Sequence, residues 1–200
     1  MEKNIKFISE CYEIEALFYQ SSSDKGVVVT HPHPLYGGDM YNSVVASIVM
    51  VYQKKGYSTL RFNFRGVGRS QGNYDNGIGE QKDVLAALNY LSENGTKSLS
   101  LAGYSFGAWV NSRINCEEAY LQKMIMVSPP VSFMDFKPFL TIPALDLVIT
   151  GNIDELAPVQ MLRKMLPLWN SDARLEVIDG ADHFYSGRLE LMESFLNSYI

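Results

Sequence analysis

Residues 98–110, Ser98-Leu99-Ser100-Leu101-Ala102-Gly103-Tyr104-Ser105-Phe106-Gly107-Ala108-Trp109-Val110, pass from a brief run of period-two character ending at Gly103 to a helix-compatible run that begins directly after it. Ser105 therefore falls on the bend between a strand and a helix, inside Gly-x-Ser-x-Gly. Such a bend forces its middle residue into a crowded backbone conformation. A Cβ two positions to either side would collide with the neighbouring strand or helix, and the two glycines avoid this. The expected result is an exposed hydroxyl at the N-terminus of the following helix, whose free N–H groups, that of Phe106 foremost, are available to an oxyanion. The pentapeptide also arises by chance, so its weight comes from what flanks it.

Outward from this stretch, strands and helices alternate. Lys6–Ser9 and Tyr12–Tyr19 read as two strands joined tightly at Glu10 and Cys11, the second alternating through Ile14, Ala16 and Phe18. Gly26–Thr30 is a continuous apolar run, the mark of a strand buried on both faces. Between Ser43 and Lys55, Val44, Val45, Ile48, Val49 and Tyr52 recur at helical spacing, with Asn42 or Ser43 as cap and Gly56 beyond the end. Tyr57–Phe62 is the next strand, followed by a Gly-rich loop and a helix from about Glu80 to Ser92. Beyond the elbow helix (Phe106–Asn115) come strands at Lys123–Val127, Ala144–Thr150 and Arg174–Ile178, and helices at Pro158–Leu166 and Arg188–Tyr199. This alternation predicts an α/β fold: a mostly parallel, twisted sheet of about seven or eight strands, helices on both faces, and an N-terminal antiparallel hairpin. In such sheets the ligand site lies beyond the carboxyl ends of the strands.

Composition narrows the classes of function. Two hundred residues with 46% hydrophobic and 20% charged content fit one globular domain, residues 1–200. A net charge of −5 without clustered Lys and Arg argues against nucleic acid or an anionic membrane as partner, leaving a small molecule. The first residues lack the apolar core of a signal peptide, and no run reaches membrane-spanning length; a cytoplasmic location is expected. Cys11 and Cys116, only two and far apart, read as reduced, space-filling thiols, and Asn94-Gly95-Thr96 as a turn. Whether the chain is a monomer or a homodimer is not encoded in any pattern of this kind.

Chemistry-bearing residues collect after the strand ends: His31-Pro32-His33-Pro34-Leu35-Tyr36-Gly37-Gly38, Gly151-Asn152-Ile153-Asp154 and Gly180-Ala181-Asp182-His183-Phe184. A serine hydroxyl needs a base within reach, and that base needs an orienting carboxylate. His183 is the expected base, because the order serine, acid, histidine is the one this topology uses; His31 and His33, beside prolines, suit a wall better. Asp154 is the expected acid, with Asp179 as its rival; Asp182 adjoins the histidine too closely in sequence to meet its ring. Asp154 could instead simply form a turn before the helix at Pro158. A second oxyanion donor must come from His33, Leu35 or Tyr36, since proline has no N–H, and Leu35 is favoured. His33, Tyr36 and Tyr104 are the candidate substrate contacts. The His-x-His pair lacks the further ligands a metal would require, so neither metal nor other cofactor is expected.

Residues 65–72, Arg65-Gly66-Val67-Gly68-Arg69-Ser70-Gln71-Gly72, do not have Gly-x-Gly-x-x-Gly spacing and open no helix directly, so they read as a turn behind the site, with Arg65 and Arg69 in structural ion pairs. The segment from Ser128 to Pro143 is no longer than a long loop, which leaves no room for a large lid. Its Phe133, Phe136 and Phe139 either wall an apolar acyl pocket or pack over the sheet edge.

These pieces together, His31–Gly38, Phe64–Ser70, Gly103–Gly107, Gly151–Asp154 and Gly180–Phe184, make the chain resemble the α/β-hydrolases, and within them the small lidless hydrolases related to dienelactone hydrolase that carry His-Pro-His-Pro-x-x-Gly-Gly. The resemblance implies a serine hydrolase with Ser105, Asp154 and His183 as triad. Dienelactone hydrolase itself uses a cysteine nucleophile, so Ser105 argues against carrying over that reaction. A carboxylic ester hydrolase, or thioesterase, working through an acyl-enzyme is the expected activity. A short-peptide peptidase, for which the rim offers no acidic cluster beyond Glu155, and a non-catalytic binding protein of the same fold are the alternatives.

Overall fold

The computed structural model describes residues 1–115, 121–136 and 141–200. The chain opens with strands β1 (Lys3–Ser9) and β2 (Tyr12–Tyr19), paired antiparallel across a turn in which Glu10 takes a left-handed φ of 54°. Alternation in β2 turns Ile14, Ala16 and Phe18 to the core, as the sequence pattern requires. Then follow β3 (Lys25–Thr30), helix α1 (Ser43–Lys54), β4 (Ser58–Phe62), α2 (Ile78–Glu93), β5 (Ser98–Tyr104), α3 (Phe106–Asn111), β6 (Leu121–Val127), β7 (Leu145–Gly151), α4 (Val159–Trp169), β8 (Arg174–Ile178) and α5 (Leu189–Tyr199).

The eight strands form one sheet in the order β1-β2-β4-β3-β5-β6-β7-β8, with β1, β2 and β4 antiparallel in succession and every later pairing parallel. From β3 the chain steps outward to β4 and then returns past β3 to β5. The direction of winding therefore reverses between β3 and β5, and the crevice this opens lies at their carboxyl ends. Parallel register aligns those ends: Thr30 lies beside Gly103, Tyr104 beside Val127, Val127 beside Ile149 and Gly151 beside Ile178. The loops that follow thus emerge along one rim.

Helices cover both faces. Val27 and Val29 join α1 and α5 in one cluster, while Val28 joins α2, α3 and α4 in the other, which is why three successive valines are all fully buried. At about 1.5–3 kcal/mol for each such side chain, this strand fixes the register of the sheet centre. The Gly-rich loop after β4 is held by Arg65, whose guanidinium pairs with buried Asp83 of α2 at 2.8 Å and reaches Glu10 at 3.2 Å. Most of the loop's N–H groups are already engaged, those of Gly66, Val67 and Ser70 by the loop's own carbonyls, those of Arg65 and Arg69 by the Asp83 and Glu15 carboxylates and that of Gln71 by the Glu13 carbonyl, which does not suit a phosphate cradle. Arg69, by contrast, has no carboxylate partner among the described residues; only its backbone N–H is anchored, by Glu15.

Several boundaries differ from the sequence expectation for local reasons. Helix α2 starts two residues early because the Glu80 carboxylate reaches back to accept the Gly77 N–H at 2.7 Å. Helix α3 stops at Asn111, short of Asn115: Ser112 turns its hydroxyl onto the Trp109 carbonyl at 2.7 Å, and Arg113 and Ile114 bond three residues back. Helix α4 runs through Pro167 to Trp169, whose buried ring packs on Phe136 at 5.1 Å. Cys11 is exposed at the hairpin turn and fills no space, and Cys116 lies outside the described residues. Among the described residues no helix is long and apolar enough to cross a membrane. The connection from β6 to β7 carries no helix or strand in its described part.

Candidate active site

Ser105 sits between β5 and α3 with φ 54° and ψ −119°, a conformation that a side chain adopts only under constraint. The constraint is visible on both sides. A Cβ at Gly103 would stand 2.6 Å from the Ala108 nitrogen, and one at Gly107 would stand 2.7 Å from the Thr30 carbonyl oxygen. Elbow and β3 therefore close tightly enough to present the Ser105 hydroxyl at the rim.

The Ser105 Oγ lies 2.9 Å from His183 Nε2, and His183 Nδ1 lies 3.0 Å from both carboxylate oxygens of Asp154. All three side chains are more than nine-tenths buried. Asp154 also accepts the N–H groups of Leu156 and Ala157, at 2.9 and 2.8 Å, so the turn-forming aspartate and the partner of His183 are one side chain. Burial alone would raise its carboxyl; hydrogen bonding to the His183 ring, and then to the Ser128 hydroxyl and the Ala157 N–H, holds it below the usual carboxylate range. The rivals are spent elsewhere. Asp179 accepts from the Asn152 side-chain amide, and Asp182 accepts the N–H groups of Phe184 and Ser186.

The other two histidines are walls. His31 is fully buried, its Nδ1 2.7 Å from the Pro32 carbonyl and its Nε2 accepting the Phe64 N–H at 3.0 Å; desolvation lowers its pKa to about 4. Both ring nitrogens are thus engaged with backbone. His33, held below its usual pKa by burial, packs against Phe106 at 4.7 Å and Tyr36 at 4.8 Å. Among the described residues no group of three His, Cys, Asp or Glu side chains is placed around a common point to hold a metal.

Two expectations require correction. The N–H of Leu35 is donated to His33 Nδ1 at 3.2 Å, and that of Tyr36 to the His33 carbonyl at 3.1 Å, so neither is available to an oxyanion. The N–H of His33 has no acceptor among the described residues. Of the three donors the sequence allowed, it is the free one, alongside that of Phe106 at the first position of α3. Tyr104 is 2% exposed and cannot touch a substrate. As the last residue of β5 it points into the α1 and α5 side of the sheet, where its hydroxyl donates to the His183 carbonyl at 2.8 Å.

Sequence reading did not single out Ser128 and Tyr185. Tyr185, fully buried, meets the Ser128 hydroxyl at 2.9 Å, and that hydroxyl helps to hold the Asp154 carboxyl low. No spacing rule marks either residue; only the left-handed φ of each, 46° and 55°, sets them apart. Tyr36 and Phe133, 75% and 54% exposed, face each other edge-on at 6.2 Å over a cavity of about 270 Å³ that reaches Ser105 and Phe106. Phe136 is core, so the aromatic segment divides between the two roles expected for it; Phe139 lies outside the described residues.

No protein-family model matches the chain. It is 33% identical over 199 residues to an uncharacterised protein of Rickettsia prowazekii, covering 94% of this chain and 84% of that one. Among solved structures it is similar to an α/β serine hydrolase homologue from Coxiella burnetii, with a TM-score of 0.90 and 32% identity over 98% of this chain and 96% of the other. A lidless α/β serine hydrolase from Xanthomonas campestris matches with a TM-score of 0.89 and 29% identity, over 98% and 92%. Sheet order, elbow and near full-length identity of about one residue in three agree: the chain belongs to the α/β-hydrolase superfamily.

Proposed function

We propose that the protein is a serine hydrolase that cleaves carboxylic esters, and thioesters by the same steps, through an acyl-enzyme. The Ser105 Oγ attacks the acyl carbonyl as its proton passes to His183 Nε2. Asp154 keeps the other nitrogen protonated and faces the imidazolium that forms. The carbonyl oxygen, now negative, is met by the N–H groups of Phe106 and His33, each worth about 3 kcal/mol to a developing oxyanion in a dry site. The bond to the leaving oxygen or sulfur then breaks, and that atom takes the proton from Nε2. In the second half, water gives a proton to Nε2 and adds its oxygen to the acyl carbon, and Ser105 leaves with the proton returned. The sum is ester plus water giving acid plus alcohol.

The observation that carries this reading is the continuous line from Ser105 Oγ through His183 to Asp154, with distances of 2.9 and 3.0 Å. A fluorophosphonate probe should label the protein and fail on Ser105→Ala, and short p-nitrophenyl esters should be hydrolysed by the former alone. Labelling without turnover favours a binding protein on this fold; absence of labelling overturns the nucleophile assignment.

A further inference from the structure

The cavity beside Ser105 lies on one side of the path the proton takes. Its described lining includes Ser105, His33 and Phe106 but neither His183 nor Phe184. The imidazole that takes the serine proton must hand it to the departing atom, so the leaving group has to stand on the His183 side. That side is open: Ile153 and Phe184, which flank Asp154 and His183 in sequence, are both exposed. The half of the substrate that stays on the serine is the half that enters the cavity.

Resting on the esterase reading above, we infer that this protein selects its substrates by the acyl group, accepting an uncharged apolar acyl chain or aryl-acyl group, and is indifferent to the alcohol or thiol. The walls facing the cavity are the rings of His33, Tyr36, Phe106 and Phe133 with Pro130, Met134 and Leu156, and no Lys, Arg, Asp or Glu is among the described lining residues. An acyl group bearing a second carboxylate would give up its hydration there with no cationic side chain among the described lining residues to replace it. A volume of about 270 Å³ holds about nine non-hydrogen atoms at ~30 Å³ each. Each methylene should therefore help until that space is filled and add nothing after it emerges between Tyr36 and Phe133.

The test is a matrix of esters. With the alcohol held constant, kcat/KM should rise about two- to fourfold per methylene from acetate upward and level off at about eight or nine carbons. For one acyl group, exchanging a methyl for a hexyl ester should change kcat/KM by less than about threefold. Met134→Trp, which fills the cavity, should lower the octanoate-to-acetate ratio at least about tenfold, and Leu156→Phe should lower it in the same direction by a smaller factor. Fluorophosphonate labelling checks that each variant is folded. A flat acyl profile, a stronger dependence on the alcohol than on the acyl group, preference for the half-ester of a dicarboxylic acid, or an unchanged ratio in both labelled variants overturns the inference and leaves the hydrolase reading standing. Failure to hydrolyse any ester, together with failure to label Ser105, overturns that reading and this one with it.

Discussion

The loop after β3 and the loop after β8 each deliver a histidine to the same rim, and the two rings are used in opposite ways. His31 is bonded on both nitrogens to backbone, the Pro32 carbonyl and the Phe64 N–H, neither of which titrates. His183 is bonded on both nitrogens to side chains, the Asp154 carboxylate and the Ser105 hydroxyl. Backbone partners tie a ring to one tautomer and one charge state, so His31 can only hold two loops together. Side-chain partners of different acidity allow the proton to move, which suits His183 to relay it. The pair shows that a histidine's role follows from its hydrogen-bond partners more than from its burial, since both rings are buried.

The contrast breaks most visibly in activity. His183→Ala should lower ester kcat/KM by on the order of 10⁴-fold or more, and Asp154→Asn by about 10³- to 10⁴-fold, because the amide presents the wrong hydrogen-bonding group to Nδ1. Urea unfolding of His183→Ala should move by about 1–3 kcal/mol, since the buried Asp154 carboxylate loses the imidazole but keeps the N–H groups of Leu156 and Ala157. Equal activity losses in His31→Leu and His183→Ala, with both variants folded, would dissolve the distinction.

For His31 the larger effect is on stability. His31→Leu keeps volume but orphans the buried Phe64 N–H, which should cost about 2–4 kcal/mol, read as a shift in the urea midpoint. The same ring makes a prediction for pH. Above pH 6.5 it is neutral in folded and unfolded chains alike. Between 6.5 and about 4 the unfolded chain binds a proton that the folded chain refuses, so stability falls as the pH is lowered through that window, by about 3 kcal/mol at full depth. Below about 4 this loss is complete. The depressed Asp154 carboxyl then acts in the same direction: its contribution is present above the ordinary carboxylate range and disappears as pH falls through its folded value. Unfolding midpoints at pH 7, 5.5 and 4.5 should decline in the wild type and decline less in His31→Leu.

How far these features could be read in the sequence depends on how local their causes are. The sheet was legible because a strand buried on both faces must be apolar at every position, as at Val27–Val29, and because only glycine fits at positions 103 and 107. His183 and Asp154 were legible from strand-end position and chain order. Which N–H of the loop after β3 stays free was not, since choosing among His33, Leu35 and Tyr36 requires knowing that the His33 ring folds back over the Leu35 N–H. The extension of α4 past Pro167 was hidden for a similar reason: local propensity stops the helix, and packing of Trp169 on Phe136 carries it on. Tyr104 was misread although strand alternation held the clue, for it shares the side of Ala102, which faces α1 and α5 and not the rim.

Tyr104 also supplies the finest test of the comparison, because it applies a backbone anchor of the His31 kind to the histidine that is otherwise held by side chains. Its hydroxyl donates to the carbonyl of His183 itself at 2.8 Å, and its ring lies 5.6 Å from the imidazole. Removing the hydroxyl leaves the ring packing intact and frees the loop after β8 by one bond of about 1 kcal/mol. The imidazole would then sample positions a few tenths of an ångström from the line between Ser105 and Asp154. That costs most where proton transfer and bond making coincide, and little where substrate merely rests in the cavity. Tyr104→Phe should therefore lower kcat by roughly 3- to 10-fold with KM nearly unchanged, and slow fluorophosphonate labelling of Ser105 in proportion. A change confined to KM would mean that Tyr104 shapes the cavity instead. No change in either would mean that side-chain partners alone hold His183 in place.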